Sequence, residues 1–149
     1  MTTIILLSLL GSVIAAAIGT FWYSNATPMG KIHMRFLGFD KLSPEEQKQK
    51  IEEAKPHMWK LYLGQMALSF LMSFFVVFVV TTSIKNGLPL QQAIWFPVMA
   101  WLCFTLPAIG GAIIWGNCER AIAWKKFFSD TLSVLVTILV IGLIASLFV

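Results

Sequence analysis

The chain has 149 residues, 58% of them apolar and 12% charged, with a formal net charge of +4. Ordinary soluble domains carry roughly half apolar and a quarter charged residues, so the balance is shifted toward lipid, and the length leaves no room for a separate soluble catalytic domain. The basic residues are interleaved with acids beside apolar runs, which excludes the solvated basic face of a nucleic-acid binder.

Thr3 to Tyr23 carries no charge over 21 residues, about 31 Å of helix and one hydrocarbon thickness. Ala15 to Ala17 mimics a signal-peptide cleavage site, but no positive charge precedes the run, so a retained membrane helix is expected. Ser24 to Lys60 is a polar connection of 37 residues, too long to be structureless in a compact protein. Within it, Pro28 to Phe39 mixes Met29, Ile32, Met34, Phe36, Leu37 and Phe39 with Lys31, His33 and Arg35. That segment reads either as lying in the headgroup region or as a loop packed over the end of the helices. Ser43, Pro44 and Glu46 supply an N-cap, a first-turn proline and a capping-box acid, which predicts a short charged helix from Pro44 to Lys55, stopped by Pro56.

Leu61 to Ser83, Ile94 to Trp115 and Leu132 to Val149 are further charge-free runs of 23, 22 and 18 residues, each long enough to span. Trp22, Tyr23, Trp59, Tyr62, Trp95, Trp115 and Trp124 cluster at or just beyond the ends of the runs, where amphipathic rings prefer to sit. Seven Lys and Arg lie between the first and second runs, one (Lys85) between the second and third, and three (Arg120, Lys125, Lys126) between the third and fourth. By the positive-inside rule, residues 24–60 and the Gly116 to Thr131 connection are cytoplasmic, and both termini and Ile84 to Ala93 lie outside. Cys103 and Cys118 are 15 residues apart, about 22 Å along one helix, and should not pair.

Small and polar residues define the faces on which membrane helices meet. The first run offers Gly11, Ala15 and Gly19 with Ser8 and Ser12; the second offers Gln65, Ser69 and Ser73; the fourth offers Asp130, Ser133 and Thr137, with Gly142 and Ser146 beyond. Pro107 with Gly110 and Gly111 should loosen the third helix and free carbonyls near Ala100 to Cys103. Gln65, Ser69, Ser73, Ser133 and Thr137 either line a path for a small solute or hold the helices together, and packing is the favoured reading.

No charge lies at a span centre, which weakens pump and antiporter readings. Asp130 reads as the acid that opens the last helix, with Ser129 as its cap. Glu119, Arg120, Lys125, Lys126 and Asp130 also form a candidate cluster for a phospholipid headgroup. His33 and His57 have no Cys or His at ligand spacing, so neither a metal nor another cofactor is implied. No nucleophile and base arrangement or phosphate loop occurs, so no enzymatic activity is read.

The first and third runs end alike, Gly19-Thr-Phe-Trp-Tyr-Ser-Asn25 against Gly111-Ala-Ile-Ile-Trp-Gly-Asn117. A duplicated helical hairpin would leave this trace, and so would the common interfacial ending of membrane helices. Over nearly its whole length the chain resembles a family of small bacterial and fungal membrane proteins, domain-of-unknown-function 1761. The likeness rests on Gly19-Thr-Phe-Trp22-Tyr23-Ser24, on Met29-Gly30-Lys31, on the charged connection and on Asp130. Met29 and His33 stand where the family usually has aromatic residues around its Gly-Lys pair. The resemblance implies a four-helix membrane protein and no particular activity; the expected location is the bacterial inner (plasma) membrane.

The expected fold is therefore an all-α bundle of four transmembrane helices with a cytoplasmic amphipathic and charged helical connection between the first two. Two functions stay open. One is a small channel or transporter-like bundle, which would more naturally need a homo-oligomer; the other is a non-enzymatic accessory that binds membrane lipid or another membrane protein through residues 24–60.

Overall fold

The computed structural model describes residues 1–116 and 119–149, so Asn117 of the repeated ending and Cys118 lie outside the described residues. The chain is all-helical, with 86% of it in helices and no strand among the described residues. Helix α1 runs Thr2–Trp22, α2 Pro28–Phe36, α3 Pro44–Lys85, α4 Leu90–Ala100, α5 Leu106–Ile114 and α6 Arg120–Ser146. A 3-10 turn, Phe39–Lys41, separates α2 from α3, and a π-helical turn, Trp101–Thr105, joins α4 to α5. Four stretches are long and apolar enough to cross a membrane: Thr2–Trp22, Pro44–Lys85, Leu90–Ile114 and Arg120–Ser146.

Two helices differ from expectation in length. The capping box at Ser43 forms, with Ser43 Oγ accepting from the Glu46 amide (3.3 Å) and Glu46 Oε2 from the Ser43 amide (2.8 Å). The helix it starts does not stop at Pro56, however, and continues unbroken for 42 residues, about 63 Å. Residues 48–57 are exposed on every side, so solvent can satisfy the Glu52 carbonyl that loses its donor at Pro56. The 24–60 connection is thus two structures: residues 24–42 fold back on the helices, while the charged start of α3 stands off them. Likewise α6 begins at Arg120, which places Asp130 ten residues inside it. Helix-start capping therefore does not explain Asp130, and Ser129 is not a cap.

Helices α3 and α6 are the central pair. They pack on each other, and α1 and α4 each pack against both. Leu7, Val76, Val77, Val80, Ala93, Ile138, Ile141 and Ala145 form the shared core. Between the apolar layers four buried hydroxyls bond within their own helices: Ser8 to the Ile4 carbonyl (2.7 Å), Ser12 to Ser8 (2.7 Å), Thr81 to Val77 (2.7 Å) and Thr137 to Ser133 (2.8 Å). Each such bond hides a polar group inside a smooth helical surface.

The tightest approach is at Gly11, where a Cβ would stand 3.0 Å from both Ser73 Cβ and Oγ and 3.3 Å from Ile141 Cγ2. Ala15 packs against the core, whereas Gly19 has open space beside it. The π turn falls where the Pro107 ring meets the Cys103 carbonyl, and the Leu106 amide reaches back to the Trp101 carbonyl. The two similar endings share their geometry: the Tyr23 amide bonds Gly19 O at φ −95°, ψ 9°, and the Trp115 amide bonds Gly111 O at φ −92°, ψ 0°.

Gly11→Val should therefore destabilise the protein by about 1–3 kcal/mol through overpacking, while Gly19→Val leaves stability nearly unchanged. Thermal unfolding in mild detergent, followed by tryptophan emission, compares the two; equal midpoints would contradict the assigned contact.

Candidate functional site

The site is built where α1 ends. Thr27 caps α2: its Oγ1 accepts from the Gly30 amide (2.9 Å) and donates to the Trp22 carbonyl (2.7 Å). Gly30 lies directly on the preceding backbone, since a Cβ there would stand 1.9 Å from Ser24 O. No side chain fits that space, so the Gly30 position lets α2 double back under α1 and lie against α6. On α2, Lys31 and Arg35 face outward, while His33 and Phe36 are half-buried.

This brings α1, α2 and α6 together around one ion pair. Lys126 Nζ bonds Asp130 Oδ2 four residues on, and the two side chains are only 10% and 22% exposed. Asp130 Oδ1 accepts from Tyr23 OH (2.7 Å), and Trp22 Nε1 donates to Ser129 Oγ (3.1 Å). The Lys126 ammonium sits 5.1 Å from the centre of the Tyr23 ring and 5.5 Å from that of Phe36, within cation–π range of both. The His33 ring packs tilted against that of Tyr23, with centroids 5.0 Å apart, and its Nδ1 is buried without a protein hydrogen-bond partner.

Burial, reinforced by the hydrogen bond to Asp130, pushes the Tyr23 phenol well above its ordinary range, so it stays a donor. Burial, and then the nearby Lys126 charge, pushes His33 below its usual 6.5, with Asp130 opposing more weakly.

Lys126 and Asp130 open into a groove of about 400 Å³ whose other walls are Phe36, Ala108, Ile109, Ala112 and Ile113. The groove thus combines one ion pair with five apolar side chains.

Of the five residues in the candidate headgroup cluster, the structure unites two. Glu119, Arg120 and Lys125 are exposed, and among the described residues they make no ion pair. Spacing on α6 explains the division, because residues four apart share a face while Lys125 and Arg120 are turned away from it. Of the polar stripe, Ser69, Ser73, Ser133 and Thr137 are buried against neighbouring helices and Gln65 is exposed, 3.5 Å from Ser69 Oγ. Sequence reasoning gave His33 and Phe36 no place in the site and read Trp22 and Tyr23 only as interfacial rings. The Gly30 turn that brings His33 and Phe36 to α6 depends on a backbone contact that the residue pattern does not announce.

Two predictions follow from the electrostatics. Asp130→Asn strands a mostly buried ammonium and should cost on the order of 3 kcal/mol. Adding Lys126→Met should recover most of it in the same unfolding measurement, and no recovery would mean that Asp130 acts some other way. For His33, a folded-state pKa below 6.5 means that the unfolded chain takes up its proton first as pH falls. This contribution to stability is present above that pH and is lost below it. The unfolding midpoint should drop between about pH 7 and about pH 5, and His33→Phe should flatten the drop; an identical slope would rule out the assignment.

A family model described as "Protein of unknown function (DUF1761)" matches residues 6–146. No curated protein and no solved structure matches the chain.

Proposed function

The chain belongs to the DUF1761 family, whose description assigns no activity, and we propose that it is a polytopic integral membrane protein that works by holding a phospholipid at the Lys126 and Asp130 groove. The observation that carries this reading is the union of a mostly buried ion pair and an apolar wall in one open groove. Four spanning helices enter the reading through their length and composition, and ten of the eleven basic residues favour a cytoplasmic connection between the first two. On that orientation both termini lie outside and the groove faces the inner leaflet. The phosphate meets Lys126, which retains free N–H groups, and an acyl chain lies along Ala108, Ile109, Ala112 and Ile113.

The protein then acts as a non-enzymatic accessory whose lipid site lies between the folded-back α2 and α5. A solute path along Ser69, Ser73, Ser133 and Thr137 is the weaker reading, because all four are buried against neighbouring helices and the Thr137 hydroxyl is taken up by the Ser133 carbonyl of its own helix.

Orientation is tested with single cysteines at Lys50 and Asn86 after Cys103 and Cys118 are replaced by Ser: an impermeant thiol reagent should reach them from opposite sides. Labelling from one side would overturn the topology. For the function itself, Ala112→Trp fills the groove from an exposed position and leaves the ion pair intact. Phospholipid co-purifying in mild detergent, counted by mass spectrometry, should fall at least fivefold; retention equal to the original protein, or none in either, would sink the lipid reading.

A further inference from the structure

Lys126 and Asp130 present a positive and a negative group side by side, and both line the groove. The pair has no net charge, so a purely anionic headgroup that reaches Lys126 also brings its charge beside the Asp130 carboxylate and gains little. A headgroup with its own adjacent phosphate and ammonium matches both partners.

The aromatic faces narrow the choice further. Quaternary ammonium groups are recognised by aromatic rings, but here Tyr23 and Phe36 already face the Lys126 ammonium. Asp130 instead has one oxygen on Tyr23 and the other on Lys126, and each carboxylate oxygen can accept a second hydrogen bond. Only an ammonium that carries N–H groups can supply those bonds.

Resting on the phospholipid reading above, we propose that the groove selects a zwitterionic phospholipid with a primary-amine headgroup, its phosphate on Lys126 and its ammonium on Asp130, over anionic and quaternary-ammonium lipids. Asp130 is then the specificity-determining residue. Lys126 supplies affinity for the phosphate that all three lipids share, and the α5 wall accepts any acyl chain.

The test uses the full chain in mixed micelles with phosphatidylethanolamine, phosphatidylglycerol and phosphatidylcholine of identical acyl chains at equal concentration, with bound lipid read by native mass spectrometry. The expected result is at least a fivefold enrichment of phosphatidylethanolamine over each of the others, abolished together with all binding by Ala112→Trp. Asp130→Glu keeps the charge and should keep the order of preference, whereas Asp130→Asn leaves Lys126 unbalanced and should abolish the ethanolamine preference, with phosphatidylglycerol bound at least as well as the other two. Equal binding of all three lipids to the original protein, with all of it lost in Ala112→Trp, would overturn the headgroup assignment and leave the phospholipid site standing. A preference of the original protein for phosphatidylglycerol or phosphatidylcholine, or an ethanolamine preference untouched by Asp130→Asn, would overturn it too. Binding of none would remove both readings.

Discussion

An ammonium group among apolar helices persists only where its charge is answered, and Lys126 is answered from three elements at once. Asp130 takes its charge from one turn further along α6, Tyr23 offers a ring from the end of α1, and Phe36 offers another from α2. Removing one partner of such a pair costs more than forming the pair gains, because the remaining charge stays desolvated. The fold-back of α2 depends on the same place. Gly30 and Thr27 make the turn sterically feasible, and Tyr23 and Lys126 give the His33 and Phe36 side of α2 a surface to rest on.

Away from this layer the helices meet by close approach. Gly11 against Ser73 and Ile141 sets the distance between α1 and the central pair; the buried Ser8, Ser12, Thr81 and Thr137 hydroxyls close on their own backbones, whereas Ser73 Oγ is buried without a protein hydrogen-bond partner. The third long helix is packed least. Its π turn follows from Pro107 and is pinned where Trp101 Nε1 donates to the Thr131 carbonyl (3.0 Å). The face of α5 that α6 leaves uncovered becomes the apolar wall of the groove. A locally imperfect helix and a folded-back one thus frame the same opening.

Much of the architecture could be read from residue patterns, and the misses have definite causes. The four apolar runs and the capping box at Ser43 are local, since they depend on hydrophobicity over 20 or so residues and on side chains three positions apart. Pro56 failed as a stop because a proline breaks a helix only when the orphaned carbonyl has no alternative partner, and an exposed helix offers it water. Asp130 failed as a helix start because the charged stretch Arg120 to Lys126 is itself good helix-forming sequence, and a rule that treats charge as the edge of a span ends the helix too early.

By itself, then, the sequence determined that the chain is helical, where its apolar runs lie and which residues are small enough to allow contact, since each depends on neighbours along the chain. It also placed Lys126 and Asp130 four residues apart, on one helical face. Only the tertiary structure decided what that face meets: the Tyr23 and Phe36 rings and the apolar wall of α5. The Phe36 contact rests on α2 folding back through the Gly30 contact with Ser24, and a backbone-to-backbone approach between segments leaves no mark in composition or periodicity.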